Sequence, residues 1–264
     1  MRIADPGRLA FTALMIVVGV MGLVKGDFAP VWDPVPKTIP AREVLVYASA
    51  LVSLLSGLGL LLPRTKAVAA RLLVASLLFW LLRFRLPALC RMPGAVVSWE
   101  GSAETVVIFA GAWALYAQGA AEWDRRYLGF ASGDAGVRIA RLLYALSLIP
   151  FGLAHLAYVK ETAALVPAWL PSPVSWVYLT GGTYIAAGAA LATGICARLA
   201  AALSALQIGL FTLLVWVPMV MAAGPKAPFQ WSETVISFAL TAAAWVIADS
   251  YRGLPWGAVR RVPG

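Results

Sequence analysis

The chain has 264 residues, of which 61% are hydrophobic and only 12% charged, and it carries a net charge of +9. A soluble domain has roughly a quarter of its residues charged, so a fully water-facing surface is excluded and lipid is the solvent that fits. The mean hydropathy of +0.83 agrees. In that setting the positive charge reads as membrane topology rather than as a surface for nucleic acid.

Mostly apolar runs cover residues 9–24, 44–62, 67–82, 103–117, 139–159, 174–193, 199–224 and 234–248. Most approach the ~20 residues that span a hydrocarbon core, and prolines punctuate the intervals. Backbone groups in lipid must be bonded internally, and the short alternating segments of a transmembrane barrel do not occur. The pattern predicts an all-α, polytopic transmembrane bundle of eight helices. The first run follows Arg2 and Arg8 and ends at Lys25-Gly26-Asp27 without a small-residue cleavage pattern, so it reads as a retained helix. The proline- and tryptophan-rich segments 28–40 and 161–173 are too long and apolar for turns, and read as short re-entrant or interfacial pieces. The two cysteines, Cys90 and Cys196, fall near opposite membrane faces and predict neither a disulfide nor a dithiol centre.

The second half repeats the first at a near-constant offset. Gly22-Leu23-Val24-Lys25 falls on Gly152-Leu153-Ala154-His155, and Ile39-Pro40-Ala41 on Val166-Pro167-Ala168. Further on, Glu104-Thr105-Val106 falls on Glu233-Thr234-Val235, with Trp99 and Trp231 just upstream. Residues 1–125 and 126–264 are therefore expected to be two four-helix repeats, divided in the charged, glycine-rich stretch 122–136. An even number of helices per unit makes the repeats parallel, related by an axis along the membrane normal. Thirteen of the 21 Lys and Arg fall at the termini and in the even-numbered loops, against eight in the odd-numbered loops and their flanks. That bias predicts both termini in the cytoplasm, with the chain in the inner (plasma) membrane.

Residues 138–250 resemble the DoxX-like family of four-helix membrane proteins. Its pattern is seen in Phe151-Gly152-Leu153-Ala154-His155, in Val166-Pro167-Ala168-Trp169-Leu170-Pro171, and in Tyr178-Leu179-Thr180-Gly181-Gly182 with the later Gly188. The first half keeps the helix layout but has Lys25 where the histidine falls and Ile39-Pro40-Ala41-Arg42 in place of the tryptophan motif. The resemblance implies a four-helix membrane unit. It also implies an association with quinone-linked sulfur oxidation, thiol and superoxide defence, or disulfide handling during maturation of periplasmic enzymes.

Few residues can carry chemistry. His155 is the sole histidine, so it cannot make a metal site unaided, and neither a metal nor a flavin motif is visible. It can contact a quinone carbonyl or relay a proton, or it can be a polar residue bonded to a neighbouring helix backbone. Glu104 and Glu233 are expected in the first turns of helices four and eight, near Ser102 and Ser232 as candidate caps. There they complement the helix dipole, or they form a symmetric carboxylate pair on the axis. Arg83 and Arg85, ~200° apart on a helix, cannot both face one site. Gly181, Gly182 and Gly188, with Ala186 and Ala187, make a small-residue stripe suited to close packing or to a ligand slot.

These residues support a membrane subunit of a redox system that binds a quinone or similar lipid-soluble carrier near the outer leaflet. His155 and Glu233 would meet the head group, Trp169 and Tyr178 would flank it, and Glu104 and Arg83 would complete the set. Its surroundings are the lipid bilayer, and a soluble or periplasmic redox partner would supply the oxidisable centre. The alternatives are a transporter, receptor or assembly factor, or a membrane scaffold. The topology is testable with reporter fusions at Gly133 and after Gly264. Both should read as cytoplasmic, and a periplasmic signal at either would reverse the orientation.

Overall fold

The computed structural model describes residues 5–258, which leaves Arg2, Arg260 and Arg261 of the basic bias outside the described residues. Those residues form helices joined by connections of unequal length, with no β-strand among them. The long helices are α1 (Pro6–Lys25), α2 (Arg42–Leu61), α3 (Lys66–Arg91), α4 (Val96–Gly119), α5 (Gly133–Ala157), α6 (Pro173–Thr193), α7 (Ala197–Ala223) and α8 (Pro228–Ser250). Six of them, α1, α2, α3, α5, α7 and α8, are long and apolar enough to cross a membrane. The other two are as long: Glu100 and Glu104 lie in α4, and α6 is rich in glycine, threonine and aromatic residues.

Consecutive helices pack side by side, α1 on α2, α2 on α3 and α3 on α4, and again α5 on α6, α6 on α7 and α7 on α8. The halves are joined by α4 against α5, α1 against α8, and α4 against α8. The last contact is close because it is built from small residues. A Cβ on Gly111 would lie 2.9 Å from Ala243 Cα, and Ala110, Ala114, Ala239 and Ala244 are fully buried around it. Without a hydrophobic difference between side chain and lipid, such intimate packing is what holds membrane helices together. One buried cluster runs through both halves.

Two of the prolines do not end their helices. Pro87 and Pro218 cannot donate to the carbonyls of Arg83 and Leu214, four residues back, and the proline ring would collide with those carbonyls in an α-helix. In both places the chain widens to a π-helical turn, Leu81–Arg85 and Thr212–Trp216, and then continues to Arg91 and Ala223. The widened turns expose carbonyls to side-chain donors. Thr234 donates to the Trp216 carbonyl at 3.3 Å, and Thr212 bonds Ser237 and Thr241 across to α8.

The two long connections behave differently. The segment after α1 is not interfacial but inserted: Phe28, Ala29, Val31 and Trp32 are all buried, and the turn Pro30–Trp32 contacts α8. Its entry is set by Gly26, in left-handed conformation (φ 63°) at the end of α1, and by Asp27. The Arg42 guanidinium, 2.6 Å from the Asp27 carboxylate, holds that carboxyl below its ordinary value despite some burial. The segment after α5 forms a short helix, Val159–Ala163, then runs along the edge of the molecule with Trp169 69% exposed.

The face opposite these connections gathers basic side chains. Arg71 Nη2 donates to Asp124 at 2.9 Å and lies over Trp123, Arg141 bonds Ser250 and lies over Tyr251, and Arg198 bonds the Leu254 carbonyl and lies over Trp256. Asp124 is fully buried. Burial pushes its carboxyl up, but Arg71, the Ala121 N–H and the Tyr116 hydroxyl together outweigh burial and hold it below the ordinary carboxylate range. A lowered folded-state pKa gives stability that is present above the unfolded value of about 3.9 and is lost as pH falls through the folded one. Asp124→Asn should therefore lower the unfolding free energy near neutrality by roughly 1.5–3 kcal/mol, the value of a hydrogen bond to a charged group. It should also flatten the wild-type fall in thermal stability below about pH 4, as measured in detergent.

Candidate functional site

On the face that carries the two long connections, α4, α5, α6, α7 and α8 enclose a cavity of ≈ 590 Å³. It brings together residues from distant parts of the chain: Glu100 and Glu104 from α4, His155 from α5, Tyr184 from α6, and Glu233 from α8. Glu161 of the short helix stands at its edge, and Phe151, Phe211, Trp216 and Phe229 supply aromatic walls. This composition, an apolar cleft with a few converging polar groups, suits an amphipathic ligand.

The glutamates do not occupy first helical turns. α4 begins at Val96 and α8 at Pro228, so Glu104 and Glu233 sit well inside their helices and the N-terminal dipole does not account for them. Ser102 is not a cap either, since its hydroxyl bonds the Ser98 carbonyl within α4. The π turn directs Arg85 toward α4. Its Nε donates to Thr105 Oγ1 at 2.8 Å and its Nη2 to the Asp33 carbonyl at 2.6 Å, and its charge acts on Glu104.

His155 is held from three sides. Its Nδ1 lies 2.8 Å from the Phe151 carbonyl of its own helix, not of a neighbouring one. Its ring meets Tyr184 and Phe211 edge-on, with centroids 5.4 and 6.1 Å away. Behind it stands Gly181, where any Cβ would come within 2.9 Å of the His155 Cβ. The neighbouring glycines serve the same contact: a Cβ on Gly152 would lie 2.6 Å from the Gly181 carbonyl, and one on Gly188 would lie 2.7 Å from the Ala145 carbonyl. The small-residue stripe thus seats α6 on α5. His155 Nε2 is buried and has no hydrogen-bond partner among the described residues.

Beside the cavity, α6 and α7 diverge over an apolar groove of ≈ 670 Å³, which shares Thr162, Leu165 and Phe211 with it. The groove runs from Trp169 to Cys196, along Ala186 and Ala190. Of the residues singled out in the sequence, His155, Glu104 and Glu233 meet in the cavity, and Trp169 lies in the groove. Tyr178 is 55% exposed and lines neither. Arg83 is exposed, over the Phe84 ring, and it is Arg85 that turns inward. Glu100, Tyr184 and Trp216 were missed. Glu100 is one helical turn before Glu104 and so on the same face, a spacing that could have found it. Tyr184 and Trp216 have no comparable signal. No metal-binding cluster of His, Cys, Asp or Glu occurs among the described residues.

The corresponding place in the first half is packed by side chains. Trp80 and Phe211 each stand immediately before a π turn. Phe211 lines the cavity, whereas Trp80 is covered by the inserted segment: its ring meets Trp32 at 4.9 Å and Phe28 at 5.6 Å, and its Nε1 donates to the Trp32 carbonyl at 2.7 Å. The Trp32 indole in turn donates to Ser53 at 3.1 Å. No family model, no curated protein and no solved structure matches this chain. Trp32→Ala should empty this plug and lower stability by about 3–5 kcal/mol, the cost of truncating a large buried aromatic. Thermal unfolding in detergent measures it, and an unchanged midpoint would show that the segment does not fill the first half.

Proposed function

We propose that the chain is a DoxX-like membrane protein in which α4 and α6 also cross the bilayer. It would then have eight spans in two parallel four-helix repeats, with both termini cytoplasmic in an inner membrane. Matching positions of the two π turns, of the left-handed residues Ala41 and Ser172 before α2 and α6, and of the indole bonds from Trp99 and Trp231 to the Pro93 and Gly224 carbonyls support the duplication. Inter-half contacts also exchange as a parallel two-fold requires, α1 with α8 and α5 with α4.

The activity proposed is binding of a quinone or similar lipid-soluble carrier, as the membrane subunit of a redox system served by a separate electron-donating partner. The observation that carries it is the unpartnered Nε2 of His155 in the wall of an aromatic cavity that continues into an apolar groove. A polar group set inside a membrane bundle is a functional candidate by default, and head cavity plus tail groove suit one amphipathic molecule.

Purification in mild detergent followed by mass spectrometry of bound lipids tests the reading. The wild-type protein should retain an apolar-tailed ring compound. His155→Leu should retain about tenfold less of it, the equivalent of one lost hydrogen bond of ~1.4 kcal/mol, with thermal stability nearly unchanged. Ala186→Trp, which fills the groove from an exposed position, should also reduce retention. Unchanged retention in both variants would refute the site.

A further inference from the structure

The polarity of the cavity wall restricts the head group further. A carbonyl oxygen only accepts, so the 2.8 Å contact with the Phe151 carbonyl places the ring proton of His155 on Nδ1. In the neutral imidazole Nε2 then carries a lone pair and no hydrogen. It is this acceptor that lacks a partner among the described residues. The edge-on rings of Tyr184 and Phe211, with Gly181 behind, hold the imidazole in that orientation.

The carboxyl side chains of Glu100, Glu104, Glu161 and Glu233 line the cavity, and no Lys or Arg among the described residues does. The nearby guanidinium of Arg85 gives two of its five N–H donors to Thr105 and the Asp33 carbonyl, and it is not among the residues that line the cavity. A dione head would bring only acceptors to the lone pair of His155 Nε2. A dihydroxy ring would bring donors. The aromatic walls fit a flat ring by edge and face contacts, and the groove takes an apolar chain. We infer that the site selects a hydroxylated aromatic head, the reduced hydroquinone form of a tailed carrier, over the oxidised dione, with a ring hydroxyl donating to His155 Nε2. This rests on the carrier reading above and adds its redox preference.

The experiment compares a short-tailed benzohydroquinone with its benzoquinone, under anaerobic conditions, by equilibrium dialysis against the protein in nanodiscs. The hydroquinone should bind about tenfold more tightly, the equivalent of one hydrogen bond. His155→Leu should weaken hydroquinone binding more than dione binding, so that the ratio between the two falls toward one. Ala186→Trp should weaken both forms by a similar factor, because it acts on the tail. The wild-type ratio decides without any variant. Equal or tighter binding of the dione overturns the inference and leaves the carrier reading standing, whereas binding of neither form overturns the carrier reading itself.

Discussion

The hydrogen bond from the Trp80 indole to the Trp32 carbonyl pins a connecting segment inside the helical bundle. In lipid neither group has water to fall back on, so the bond and the rings around it decide where that segment rests. Because the segment occupies the first half, Phe28 and Trp32 pack around Trp80 at the place that corresponds to the cavity of the second half. Because the second long connection stays at the edge, that cavity remains open on the side of α5–α8. The asymmetry between two similar halves is therefore a consequence of one loop and its tryptophan.

The prolines of α3 and α7 shape the same region from the other side. A proline within a helix needs relief four residues upstream, and here the relief is a π-helical turn. The wide turn brings Arg85 against Thr105 in the first half and Trp216 against Thr234 in the second. Equivalent backbone devices thus present a cation on one side and an indole on the other. The cavity inherits acids from α4 and α8, aromatic walls from α7, and a single imidazole from α5. That imidazole is fixed by the Phe151 carbonyl and by the room that only glycine leaves at 181.

Much of this was legible in the sequence. The apolar runs marked the helices, because spanning lengths and proline punctuation leave few alternatives, and the paired Glu-Thr-Val segments pointed to the region where α4 and α8 meet. His155 stood out by being alone. Other features were not legible, for identifiable reasons. Pro87 falls in an interval between apolar runs, yet the helix continues past it through a π-helical turn. Arg83 and Arg85 could not be told apart, because the π turn alters the angular register that would separate them. The segment 28–40 has the composition of an interfacial piece, and its insertion depends on Trp80 and Ser53, which are remote in the chain. Tyr178 and Trp169 were grouped with the histidine by the family pattern, yet one faces outward and the other lines the groove.

We propose one ligand site per chain, because a tryptophan plug closes the first half whereas the second half keeps its cavity. Binding stoichiometry addresses it directly. Native mass spectrometry of the detergent-released protein, titrated with a short-tailed hydroquinone, should saturate at one molecule per chain. Saturation at two equivalent molecules per chain would contradict the account, for it would mean that the first half holds an open site of its own.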